Sequence, residues 1–169
     1  MAYSTVPKTR RDGSITLIDG TGSPVTLVVA YEDGNLSLNS PNTYSSTVIK
    51  DRGDTSTVRK GDDQQISGTF SFHLRQFTEP AAVAGSIIDF LTKAGGYSSN
   101  ISAGAGAPYV EQYCINIKYI ADGVAVGDAL TSEVVLGKCV IDSYDVTEGD
   151  PTSVSISFTC FGGSTITAA

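Results

Sequence analysis

The side chains able to do chemistry are few and poorly placed for catalysis. His73 is the single histidine in 169 residues, and it occupies a polar position in an alternating stretch. No Ser/His/Asp or Cys/His arrangement can be assembled around it from spacing, so it reads as a surface or channel-wall histidine. The cysteines Cys114, Cys139 and Cys160 lack CxxC spacing, and neither an HExxH helix nor an EF-hand loop occurs. No metal and no other cofactor is therefore expected. Each cysteine lies in a strand-like stretch, and the simplest reading is three reduced core thiols, with one disulfide left open. Gly20-Thr21-Gly22 and Gly104-Ala105-Gly106 lack the lysine of a phosphate loop and the spacing of a dinucleotide fingerprint, and read as turns. Arg52-Gly53-Asp54 spells the integrin tripeptide, but Gly and Asp belong at a hairpin tip in any case. The chain is not expected to be an enzyme.

What remains is the chemistry of contact. Lys50, Asp51, Arg52, Asp54, Arg59, Lys60, Asp62 and Asp63 interleave both signs within the segment 40–63. A charge run is usually a solvated loop. This one is long for a compact domain and patterned as a hairpin, with strand-like pieces at 44–50 and 55–59. Its apolar content (Tyr44, Val48, Ile49, Val58) is too thin for core burial alone to hold it. Interleaved signs suit self-complementary docking between identical copies. Lys8, Arg10 and Arg11 add positive charge to a polar arm over 1–13, which a partner could order.

Hydroxyl rows form the second pattern. Ser67, Thr69, Ser71 and His73 share one strand face, Asn116 and Lys118 another, and Ser153, Ser155, Ser157 and Thr159 a third. The exterior of an ordinary sandwich carries more Lys and Glu. A smooth, weakly polar face suits the inner wall of a tube, and a net charge of −7 would repel DNA phosphates there. The plainer reading is a wet sheet face.

These residues need strands to carry them. Abundant Gly, Ser, Thr and β-branched residues favour strands and turns, and 169 residues suit one domain. The acidic balance excludes a DNA-reading module. The first residues are polar, so no signal peptide is expected, and no apolar run approaches the roughly 20 residues of a membrane helix. Strands are predicted at 14–19, at 24–31 (apolar on both faces, hence central) and at 35–38 after an Asp33-Gly34 hairpin turn. From Ile66, the positions Gly68, Phe70, Phe72 and Leu74 face a core. Thr78-Glu79-Pro80 starts a helix over about 79–94, with the stripe Val83, Ile87, Phe90, Leu91 and Ala94, and Gly95-Gly96 stops it. Strands at 109–120, 131–147 and 152–162 follow. The middle one changes phase between Val135, Cys139, Ile141 and Tyr144, Val146, which implies a bulge. The expected fold is mainly β: an antiparallel sandwich or partial barrel, one flanking helix and a protruding hairpin at 40–63.

The order of these parts resembles the tail tube proteins of tailed bacteriophages. The stretch Val-Arg-Lys-Gly-Asp-Asp-Gln-Gln-Ile-Ser-Gly-Thr-Phe-Ser-Phe (58–72), running toward Ile-Ile-Asp-Phe-Leu-Thr-Lys-Ala-Gly-Gly (87–96), carries most of the likeness. The resemblance implies a domain at 14–169 whose copies form stacked hexameric rings, with strands lining one channel and the hairpin and arm bridging neighbours. It implies a virion tail assembled in the bacterial cytoplasm, with DNA passing through without specific binding. Implied partners are further copies, a tape-measure protein, a tail terminator and baseplate or tip proteins, and no membrane. The same fold serves in secretion-system and tailocin tubes. A carbohydrate-binding sandwich would want clustered exposed aromatics, and the chain has no Trp.

Overall fold

Strict alternation of apolar and polar residues over 66–73 forces an extended strand with one buried face. The computed structural model describes residues 13–21, 23–29, 36–40, 44–74, 76–78, 84–101, 114–122 and 131–168. Within them the strands run β1 (Gly13–Asp19), β2 (Thr26–Val29), β3 (Leu36–Asn39), β4 (Tyr44–Asp51), β5 (Asp54–Asp63) and β6 (Ile66–His73). They continue as β7 (Gln76–Thr78), β8 (Ala84–Ser86), β9 (Ile115–Asp122), β10 (Thr131–Thr147), β11 (Ser153–Cys160) and β12 (Ser164–Ala168), with helix α1 (Ile87–Thr92) after β8. The fold is mainly β.

One antiparallel sheet has the order β2-β1-β9-β10-β11-β6-β3, and β12 also pairs with β10. Inward residues from both ends of this path, Ile15, Leu27 and Ile117 on one side and Phe70, Phe72 and Phe158 on the other, join a single buried cluster. The sheet therefore curls around its own core in the partial-barrel form. Ile87, Phe90 and Leu91 of α1 complete that core.

The long strand β10 changes phase as the pattern requires, with a register shift against β11 between Ile141 and Ser143. A further shift, against β9, lies between Leu136 and Cys139. Here Leu136, rather than Val135, takes the buried position.

Several expectations need correction. β2 is at the end of the sheet path, not central, and Val28 is 57% exposed. Its two-sided apolar character did not mean two-sided burial. β2 pairs with β1 and β3 pairs with β6, so they are not arms of one hairpin, and Asp33-Gly34 lies outside the described residues. The helix is shorter than the stripe predicts. Residues 84–86 pair with 76–78, placing Thr78 in a strand instead of at a helix cap, and Gly85 and Ser86 are weak helix formers. Ala94 is exposed, and Leu74 lies past the end of β6, exposed, its N–H bonded to Thr152 O at 2.9 Å. Cys114 sits just before β9 and is buried. β12, paired to β10, has no counterpart among the predicted strands.

Gly68 is where β6 meets its neighbours most tightly. A Cβ there would stand 2.6 Å from Phe158 Cζ and 2.8 Å from the backbone oxygen of Ser37 on β3. Phe158 can turn a little, but a paired backbone carbonyl cannot. Gly68→Ala should therefore lower stability by about 1–3 kcal/mol, the usual cost of overpacking, read from urea unfolding midpoints.

Candidate assembly interface

The β4–β5 hairpin is built on a two-residue turn with Arg52 at φ 49 and Gly53 at φ 93. Positive φ at both central positions is the turn geometry whose twist matches paired strands. Glycine takes it freely, whereas Arg52 is held there. Among the described residues the two strands pair only with each other. Val48 faces Val58 across the ladder, and Val48, Ile49 and Val58 are 48%, 40% and 57% exposed.

Val48 and Val58 share one face of the hairpin and Ile49 stands on the other, with charges along both. Lys50, Asp51, Arg52, Asp54, Arg59, Lys60 and Asp62 are all exposed. The register sets Arg59 opposite Thr47 and Lys60 opposite Ser46, while Asp51 faces Asp54. Two acids opposite one another disfavour the hairpin in isolation and favour a cation brought from elsewhere. The side chain of Asp63 lies outside the described residues, as do Lys8, Arg10 and Arg11 of the arm.

The structure brings two of the three hydroxyl rows together. Against β6, β11 pairs Ser153↔His73, Ser155↔Ser71, Ser157↔Thr69 and Thr159↔Ser67. β3 extends the face with Ser37 opposite Thr69 and Asn39 opposite Ser67. β10 extends it on the other side, where Ser143 and Ser157 hydroxyls lie 2.8 Å apart and Thr159 donates to Asp142 Oδ2 at 2.7 Å. The result is a broad face of short polar side chains over four strands. Asn116 and Lys118 of β9 do not join these rows directly, because β10 stands between. They are also committed locally. Asn116 Oδ1 accepts the Lys138 N–H at 3.1 Å, and Lys118 Nζ pairs with Glu133 at 2.9 Å.

One polar cluster escaped the pattern altogether. Asp19, at the end of β1, is buried and accepts four hydrogen bonds. Its Oδ1 takes the Thr21 N–H at 3.0 Å and hydroxyl at 2.6 Å, and its Oδ2 takes the Val25 N–H at 3.1 Å and Asn100 Nδ2 at 2.9 Å. Burial pushes its pKa up, but these donors, the Thr21 hydroxyl foremost, hold it below the ordinary carboxylate value. Lys93, just past α1 at φ 54, is buried too. Its Nζ lies 4.5 Å from the Phe90 ring centroid and has no hydrogen-bond partner among the described residues. Burial lowers its pKa, with the charge of Asp19 and then Cys114 pulling the other way. The turn residues after Asp19 were legible as a turn. A left-handed lysine folded under a helix carries no sequence signal.

No family model matches the chain, and no curated protein does. Solved structures do. The chain resembles a chain of the sheath/tube terminator of an extracellular contractile injection system (PVC), in its extended state. There the TM-score is 0.57 at 10% identity, over 99% of each chain. It also resembles a chain of the anti-feeding prophage cap, the tube-terminating cap, with a TM-score of 0.58 at 11% identity over 100% of this chain and 96% of that one. The sheath–tube complex of the same injection system gives 0.54 at 10% identity, over 99% and 100%. The likeness is one of fold. It spans the whole length, and sequence identity this low leaves function to be argued from the surfaces.

The Asp19 cluster makes its own prediction. Its folded pKa is depressed, so the carboxylate's contribution is fully present above the unfolded value of about 3.9 and is lost as pH falls through the lower folded value. Asp19→Asn turns an amide N–H₂ toward donors and removes a negative charge whose field favours protonated Lys93. It should cost roughly 3 kcal/mol at neutral pH, and urea unfolding at neutral and acid pH should show the gap narrowing as pH drops.

Proposed function

We propose that this chain is a structural subunit of a phage-tail-like tube, assembled from further copies of itself as stacked hexameric rings. The observation that carries the reading is the β4–β5 hairpin: a polar arm with an exposed Val48/Ile49/Val58 centre and no strand partner of its own chain among the described residues. A neighbouring copy is the simplest source of what it lacks. The fold likeness to contractile injection-system structures gives the kind of assembly its prior. In this reading Lys50, Asp51, Arg52, Asp54, Arg59, Lys60, Asp62 and Asp63, with Lys8, Arg10 and Arg11 of the arm, make contacts between rings. The Ser/Thr face of β6 and β11 lines the channel, weakly polar beside an acidic protein, so that DNA slides without binding. A tape-measure protein, a terminator and baseplate or tip proteins are the further partners. A secretion-system or tailocin tube would use the same surfaces for another cargo.

A second reading has its own support, since the sheath/tube terminator and the tube-terminating cap are among the similar structures. A terminator subunit would form one ring that ends a tube. Negative-stain microscopy of the concentrated protein separates the two: open-ended tubes favour the tube subunit, single rings the terminator, and a strict monomer counts against both. Deleting the hairpin should leave monomers or single rings.

Reversing Arg52 or Arg59 to Glu should shift sedimentation toward smaller species at low salt, with the difference fading as salt screens the exposed pairs. Assembly that ignores these reversals at low salt would remove the hairpin charges from the interface.

A further inference from the structure

β10 changes partners along its length, lying between β9 and β12 in its first half and beside β11 in its second. The change is made at a double irregularity, with Lys138 at φ 50 within β10 and Gly163 at φ 78 in the link between β11 and β12. The backbones approach closely there, so that a Cβ on Gly162 would stand 2.6 Å from Gly137 O. On the first regular rung beyond this joint, Cys139 and Cys160 are direct Cα partners.

The geometry of that rung is favourable for a bond. Phe161 N–H donates to Lys138 O at 3.1 Å on the neighbouring rung. Since hydrogen-bonded and non-bonded rungs alternate, Cys139 and Cys160 form a non-bonded pair, the type whose side chains stand closest, with Cα atoms roughly 4.5 Å apart. A disulfide accepts about 4.4–6.8 Å. Both thiols are free and buried in the same core cluster. Cys160 Sγ already reaches across to β10, donating to Gly137 O at 3.0 Å. Burial first, and Cys160 beside it, hold the Cys139 thiol far above its ordinary pKa. Cys114 is the Cα partner of neither.

We propose that Cys139 and Cys160 are a disulfide-forming pair, a covalent modification site that ties β10 to β11 at the joint of the sheet. The oxidant is a low-molecular-weight disulfide. One cysteine thiolate attacks it and expels a small thiol, leaving a mixed disulfide. The second thiolate then attacks the protein sulfur, the Cys139–Cys160 bond forms, and a second small thiol leaves. The two protons lost by the cysteines end on the two released thiols. Burial opposes the thiolate in the folded chain, so the bond forms as the chain folds or when the joint opens. This inference stands on the core and is independent of the proposed assembly.

The test is refolding of the full chain from denaturant in oxidised and reduced glutathione, followed by non-reducing peptide mapping and thermal unfolding. The expected result is a peptide linked through Cys139 and Cys160, with Cys114 left free. The thermal midpoint should stand several degrees above that of the reduced chain, and dithiothreitol should abolish the difference. Cys114→Ala should keep the link and Cys160→Ala lose it; if Cys160→Ala does not fold, the mapped wild-type link decides alone. Recovery of every cysteine as a free thiol, a link through Cys114, or a linked chain less stable than the reduced one would overturn the proposal.

Discussion

The register of β10 against β11 is the constraint on which the rest of this molecule depends. Side chains alternate with a period of two, so a slip of one residue would turn Val154, Ile156 and Phe158 to solvent and the serines to the core. The shift between Ile141 and Ser143 absorbs the one residue by which the two strands would otherwise disagree. Beyond it Ser143, Asp145 and Thr147 face Ser157, Ser155 and Ser153. Because β11 is then paired rung for rung with β6, the same register fixes which residues of β6 are wet. The hydroxyl face is thus the other side of the core, set by one bulge.

A sheet that curls without closing leaves edges. β2 and β3 end the path, and β12 has β10 as its one partner among the described residues. Unpaired edges invite other strands, and proteins either shield them or use them. Among the described residues β2 shows Val28 and β12 shows Ile166, both largely exposed. The hairpin adds a further ladder of two strands with no third strand among the described residues. An assembling subunit turns these liabilities into contacts, which is why the proposed role needs no reactive residue.

The parts of this fold that were legible in the sequence are those whose environment repeats along the strand. Phe70 and Phe72 against Ser71, or Ile156 and Phe158 against Ser157, state their own faces. The hairpin declared itself through Asp51-Arg52-Gly53-Asp54, and the β10 bulge through a change of phase. What failed was decided across the chain. Val25, Leu27 and Val29 look alike whether β2 is central or at an edge, and Val28 is exposed because it stands on the outer face, opposite Leu27 and Val29. The residues before Ile87 had a helical stripe, but pairing of 76–78 with 84–86 outcompeted it. Asp19 draws its donors from positions far apart, and the alternation rule has no term for a carboxylate whose four donors arrive from a turn and a distant loop. Of the proposed contact residues, the sequence marked the charges and hydroxyls, while the cross-strand pairing of the serine rows needed the register.

The hairpin's apolar and charged residues do different work in an interface of this kind. Val48, Ile49 and Val58 are each about half exposed, so covering them would add on the order of 1 kcal/mol apiece. That term is indifferent to orientation and hardly responds to salt. The surrounding charges contribute little net affinity when exposed, but they penalise every docking that sets like against like. At the tip Asp51 faces Asp54 with Lys50 and Arg52 beside them, and Arg59 and Lys60 follow further down, so both signs are interleaved along the hairpin. In the proposed interface, a copy docked out of register would set like charges against like. In the proposed assembly the exposed Val48, Ile49 and Val58 would supply adhesion, and the charges would discriminate between registers.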